Sequence, residues 1–148
     1  VDTGMGLERL SAVLNNLSSN YDSDLFLPLF DYIHLYSNSN ISNSLEHYRD
    51  CKNEELLATY RILSDHMRSI CISISDGLMP SRNGLGGFLK YLILKCMKIS
   101  KESLRIGNET ELLCNMVPIV IDTLKNAYPE LETKTSYIQE VNRNFIYN

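Results

Sequence analysis

Two stretches of this sequence carry residues arranged for chemistry. The first is Val1-Asp2-Thr3-Gly4-Met5-Gly6-Leu7-Glu8-Arg9-Leu10. Gly4 and Gly6 leave the backbone open just ahead of an apolar-periodic run, where the unpaired N–H groups of a helix start attract anions. A Gly-x-Gly before a helix is also the ordinary composition of a tight turn, and spacing alone does not separate the two. The second stretch spans 82–105, with Arg82, Lys90, Lys95, Lys98, Lys101 and Arg105 set against Glu102 alone. On a helix advancing ~100° per residue, Lys90, Lys98, Lys101 and Arg105 fall in one quadrant. Such a stripe is either a solvated face or a surface for phosphates.

The totals bound these readings. Net charge is −4 over 148 residues, so the chain is not a strongly basic nucleic-acid binder. The 82–105 segment carries +5, leaving −9 for the remainder. A local basic patch on an acidic body is the expectation. Hydrophobic residues make up 44% and charged residues 22%, which suits one globular domain with a real core. No apolar run reaches the ~20 residues of a membrane span. The chain starts at Val and shows no signal-peptide pattern, so the expectation is a piece of a longer protein.

Other reactive constellations are missing from the sequence. There is no His-x-x-x-His, no P-loop, no paired-Cys metal motif and no evident Ser/His/Asp grouping. Cys51, Cys71, Cys96 and Cys114 are widely spaced and read as buried, reduced thiols. Asp65 and His66 are adjacent on a helix, so they point about 100° apart and form no dyad. His66 is expected to be structural, and His34 to be a surface or half-buried residue without metal partners.

Helices must position whatever chemistry there is. Leu7, Leu10, Leu14 and Leu17 make one amphipathic stripe. Leu25, Leu29, Ile33 and Tyr36 make a second, starting near Asp24 so that Pro28 sits in the first turn. The Ser/Asn-rich residues 37–53 read as a surface loop. Leu56, Tyr60, Leu63, Met67, Ile70 and Ile74 mark a central helix over 54–75, stopped by Asp76-Gly77 and barred from continuing by Pro80. A further helix is predicted over 85–99, with Phe88 counted on its apolar side. Another runs from about Leu112 to Leu124 with Pro118 inside it, and a last helix covers 130–147. The sequence therefore predicts an all-α bundle of about five helices, with at most a remnant strand at the N-terminus.

Several segments in one order resemble the alanyl-tRNA synthetase family of class II enzymes. Residues 1–10 look like its motif 3. Tyr21-Asp22-Ser23-Asp24-Leu25-Phe26 with Pro28-Leu29 resembles its next helix. Tyr60-Arg61-Ile62-Leu63-Ser64-Asp65-His66-Met67-Arg68 and Ser75-Asp76-Gly77-Leu78-Met79-Pro80 resemble its Arg-x-x-Ala-Asp-His-x-Arg and Asp-Gly-x-x-Pro signatures. Val117-Pro118 and Asn126-Ala127-Tyr128-Pro129-Glu130-Leu131 look most like animal mitochondrial members.

The resemblance implies a fragment of an enzyme that activates alanine with ATP and Mg2+ and ligates it to tRNA(Ala) in the mitochondrial matrix, the cytoplasm being the alternative. Residues 1–20 would be the motif 3 end of the catalytic domain, and 21–148 a helical domain holding the tRNA acceptor stem. By that likeness Arg9 and Gly6 serve ATP, Asp2 and Gly4 serve alanine, and Arg68, Arg82, Asn83, Lys90, Lys95 and Lys98 serve tRNA. The catalytic domain of the same chain is the implied partner, and the fragment alone is not expected to be active. Arg82 stands where many members carry Asn, and Lys90-Tyr91 where they carry paired arginines. Lys lacks the bidentate fork of Arg, so strict reading of a G·U pair does not follow. The competing expectation is a non-catalytic helical scaffold, or a degenerate paralogue, with no direct tRNA contact.

Overall fold

The computed structural model describes residues 4–40, 48 and 51–147. Among the described residues there are seven α-helices and no strand. They are α1 (Leu7–Leu14), α2 (Leu27–Asn40), α3 (Glu54–Ser75), α4 (Gly84–Glu102), α5 (Glu109–Leu124), α6 (Glu130–Thr133) and α7 (Thr135–Tyr147), with a 3₁₀ turn at Asn20–Asp22. The all-α class is as the sequence predicts, but the expected count of about five is corrected to seven. One reason is that the predicted last helix breaks at Lys134 into the single turn α6 and the longer α7. The expected remnant strand concerned the first few residues, and 1–3 lie outside the described residues.

The central helix α3 packs against α2, α4, α5, α6 and α7. Asn53 starts it, its side-chain oxygen accepting the Glu55 and Leu56 N–H groups at 3.0 and 3.2 Å. Gly77, at φ 90°, ends it. The Gly77 N–H reaches the Ile74 carbonyl and the Leu78 N–H reaches that of Ser73, both at 3.0 Å, a Schellman closure. Lys134 donates to the Ser75 carbonyl, placing a cation where the helix dipole is negative. Tyr60, Leu63, Met67, Ile70 and Ile74 are fully buried along one face. Each such side chain contributes about 1.5–3 kcal/mol on burial.

In the first two helices three boundaries differ from the sequence reading. Helix α1 stops at Leu14 because Asn16 takes the left-handed conformation (φ 51°), so Leu17 closes the turn instead of extending the stripe. Helix α2 starts at Leu27 rather than near Asp24, and Pro28 sits in its first turn as expected. It also runs through Ser37 to Asn40, into the predicted loop. There the Ser37 hydroxyl donates to the Ile33 carbonyl at 2.7 Å, which satisfies a polar residue within a helix. Tyr48, also in that predicted loop, is buried. Its ring packs edge-on against Phe30 at 5.2 Å, and its hydroxyl donates to Asp31 Oδ1 at 2.8 Å.

Pro118 lies in the middle of α5. Lacking an N–H, it leaves the Cys114 carbonyl without its intrahelical donor. The Gln139 side-chain amide, from α7, donates to that carbonyl at 3.0 Å. All four cysteines are free and buried, as the sequence predicts. Burial pushes the Cys71 and Cys96 thiols up, Cys96 to about 12, so both are unreactive.

Candidate nucleotide and RNA surfaces

Helix α1 begins at Gly6, an extended N-cap residue with no side-chain cap. One turn on, Arg9 is exposed. A Cβ at Gly6 would make only ordinary contacts, with the Arg9 methylenes and Glu8 Oε2, and one at Gly4 would meet nothing within 4 Å, so this backbone is open to a ligand. Gly6, Glu8 and Arg9 line a cleft of about 160 Å³ with Asn20, Tyr21, Phe26 and Asp65. Asp2, the predicted alanine contact, lies outside the described residues.

Arg68 forms the back of this arrangement. Its Nη2 donates to Glu8 Oε1 at 2.6 Å, and its Nη1 stands 3.5 Å from Asp65 Oδ1. The guanidinium also lies over the Phe26 ring, 4.6 Å from the centroid. The hydrogen bond from Arg68 holds the Glu8 carboxyl below its usual pKa of 4.5. Only 12% of the Arg68 side chain is exposed, and its guanidinium is engaged with Glu8 and Asp65. Spacing alone gave no sign of a carboxylate sixty positions away.

The other predicted RNA contacts lie on α4 and the turn before it. Arg82 and Asn83 are exposed in that turn, and Asn83 is the N-cap residue. The Ser81 N–H donates to the Gly86 carbonyl at 3.0 Å, folding the turn tightly onto the helix start. A Cβ on Gly86 would strike the Met79 carbonyl and the Ser81 hydroxyl. Lys95 and Lys98 line a groove of about 450 Å³ with Tyr91, Leu94, Ile99 and Glu102. Lys95 lies 5.8 Å from the centroid of the Tyr91 ring, and Lys98 is 3.9 Å from Glu102. Lys90 is not part of this groove. It is half-buried, with its ammonium 5.2 Å from the Phe145 ring centroid on α7. Arg105 also leaves the predicted quadrant, because α4 ends at Glu102 and Arg105 takes a left-handed φ of 52°.

Sequence reasoning missed the aromatic part of this surface. Phe88 and Tyr91 are 60% and 54% exposed, with their rings 6.3 Å apart and nearly parallel. Leu85 and Leu94 are exposed beside them. Recurrence every three residues, at 85, 88, 91 and 94, was the available signal. His66 is half-buried on α3, and its Nε2 finds no hydrogen-bond partner among the described residues. Burial, and then the charge of Lys95, push its pKa down, and Asp65 pulls it partly back. Among the described residues no cluster of three or more His, Cys, Asp or Glu is placed to hold a metal.

A family model described as tRNA synthetases class II (A) matches residues 1–144, and the chain belongs to that family. It is 42% identical over 135 residues to the mitochondrial alanine–tRNA ligase of Drosophila melanogaster, a match covering 90% of this chain and 12% of that protein. The alanine–tRNA ligase of Leuconostoc mesenteroides is 34% identical over 140 residues, 95% of this chain and 15% of the relative. The mitochondrial alanine–tRNA ligase of Caenorhabditis elegans is 32% identical over 143 residues, 95% and 17% respectively. The chain thus spans less than a fifth of the length of these relatives.

Proposed function

We propose that this chain is the motif 3 end and tRNA-holding helical region of an alanyl-tRNA synthetase, which activates alanine with ATP and ligates it to tRNA(Ala). The observation that carries this reading is the lysine-and-aromatic groove of α4, an RNA-compatible surface in a chain with net charge −4. Lysines supply the charge for phosphates, and exposed rings supply faces on which bases stack. Lys95, Lys98, Arg82 and Asn83 are the residues proposed to meet the acceptor stem. Lys90 borders them, and Arg68 acts behind the surface. Arg9 and Gly6 are the ATP contacts, and Asp2 and Gly4 the alanine contacts. Mg2+ would accompany ATP in the whole enzyme.

Residues 1–20 belong on this reading to the catalytic domain and 21–148 to the helical domain. The exposed apolar face of α1, with Leu7 68% and Leu14 71% exposed, supports a packing partner in the catalytic domain of the same chain. The two mitochondrial relatives support a mitochondrial matrix location. No helix among the described residues is long and apolar enough to cross a membrane.

Charge reversal at Lys95 and Lys98 in the full-length protein tests the assignment. The KM for tRNA should rise on the order of tenfold, with a shallower salt dependence, while the KM for ATP stays nearly constant. An unmoved tRNA KM overturns it. The scaffold reading draws on the intramolecular engagements of Lys90, Lys98 and Arg68. It predicts that bound tRNA leaves the α4 groove unprotected in footprinting.

A further inference from the structure

We propose that Arg68 is a positioning residue for the nucleotide end of the chain: by clamping Glu8 it fixes the rotation of α1 and hence the direction of Arg9. This rests on the reading of Arg9 as the ATP phosphate contact. Helix α1 has eight residues, its single buried residue is Ala12, and it rests chiefly against the 3₁₀ turn at Asn20–Asp22. So short a helix, with one small anchoring residue, has little to stop it rolling about its own axis. Glu8 supplies the stop.

Glu8 and Arg9 are successive residues of one turn, about 100° apart around the helix. Pinning one carboxylate therefore sets where the neighbouring guanidinium points. The pin itself is rigid. The Arg68 guanidinium is held by Glu8 on one nitrogen, by Asp65 near another, and by the Phe26 ring against its flat face. Its 12% side-chain exposure leaves little room for alternative positions. Phe26 precedes α2 and Arg68 sits on the central α3, so the clamp ties α1 directly to the bundle that holds the proposed RNA surface. A lysine at 68 would keep the charge but lose the planar two-sided contact. Arg68 is thus a joint between the two proposed substrate sites, and touches neither substrate itself.

The experiment is alanine-dependent ATP–pyrophosphate exchange in the full-length protein with Glu8→Gln, Arg68→Gln, Arg68→Lys and the double exchange Glu8→Arg with Arg68→Glu. Each Gln variant should raise the KM for ATP about tenfold while the KM for tRNA in aminoacylation changes less than twofold. Arg68→Lys should fall between, and the double exchange should recover at least half of the loss. Glu8→Gln, on the half-exposed partner, keeps the test readable if Arg68→Gln does not fold. Unmoved ATP constants in an active Glu8→Gln variant overturn the inference, as do ATP and tRNA constants rising together. Absence of exchange in the unsubstituted protein overturns the synthetase reading, and this one with it.

Discussion

At the scale of single residues, the two groups that matter most are charged or titratable side chains half-hidden on α3. Arg68 illustrates why sequence alone does not find the partner of such a group. Its spacing puts it among surface cations, and the sequence does indicate that α3 carries it. The partner that the spacing does not reveal is Glu8, distant in sequence and brought near only when α1 folds back on the bundle. His66 illustrates a different case: a structural histidine was the expectation, and the structure places it half-buried on α3, where it feels the charge of Lys95. Its lowered pKa has a consequence for stability. The unfolded chain takes up a proton near pH 6.5, while the folded chain refuses it until a lower pH. Folding stability therefore falls as pH drops below about 6.5 and levels off below the folded pKa. His66→Gln should flatten this part of the curve, as read by chemical denaturation of the chain between about pH 5 and 7.5. An unchanged slope would place the proton elsewhere.

At the scale of elements, α3 was legible in extent, because the apolar spacing and Gly77 act within a few residues of where they stand; the Asn53 cap was seen only in the structure. Helix α4 was legible in extent and partly in facing. Phe88 was read as core because it is apolar, yet the packed side of α4 is already filled by Leu89, Leu92, Ile93 and Cys96. Only the number of neighbours available to a helix decides which apolar residues stay outside, and that is a property of the assembled bundle. The start of α4 depends on a feature the sequence shows only as composition. Gly86 lies where any Cβ would collide with the preceding turn, against both the Ser81 side chain and the Met79 carbonyl. Gly86→Ala should destabilise the chain by about 1–3 kcal/mol, by analogy with overpacked cores. Thermal or urea unfolding reads this directly. Gly107→Ala, where a Cβ meets nothing within 4 Å, is the control and should change stability far less.

At the scale of the whole molecule, the chain has one well-buried core around α3 and an N-terminal helix turned outward. Leu7, Leu10, Val13 and Leu14 lie exposed on α1, so the isolated chain should self-associate through them. Leu7→Gln with Leu14→Gln should shift its sedimentation toward the monomer and leave its helical circular dichroism intact. The same pair in the full-length protein should lower the melting temperature. The second half of the molecule is bound together differently. Because Pro118 deprives the Cys114 carbonyl of its own helix's donor, α5 relies on Gln139 of α7 to complete its backbone hydrogen bonding. If α7 peels away, a buried acceptor is left bare, a cost of about 1–3 kcal/mol. The C-terminal helix is therefore not a tail that frays independently. In native-state hydrogen exchange, the amides of α7 and of the first half of α5 should open together with a single free energy, and Gln139→Ala should divide that one cooperative unit into two.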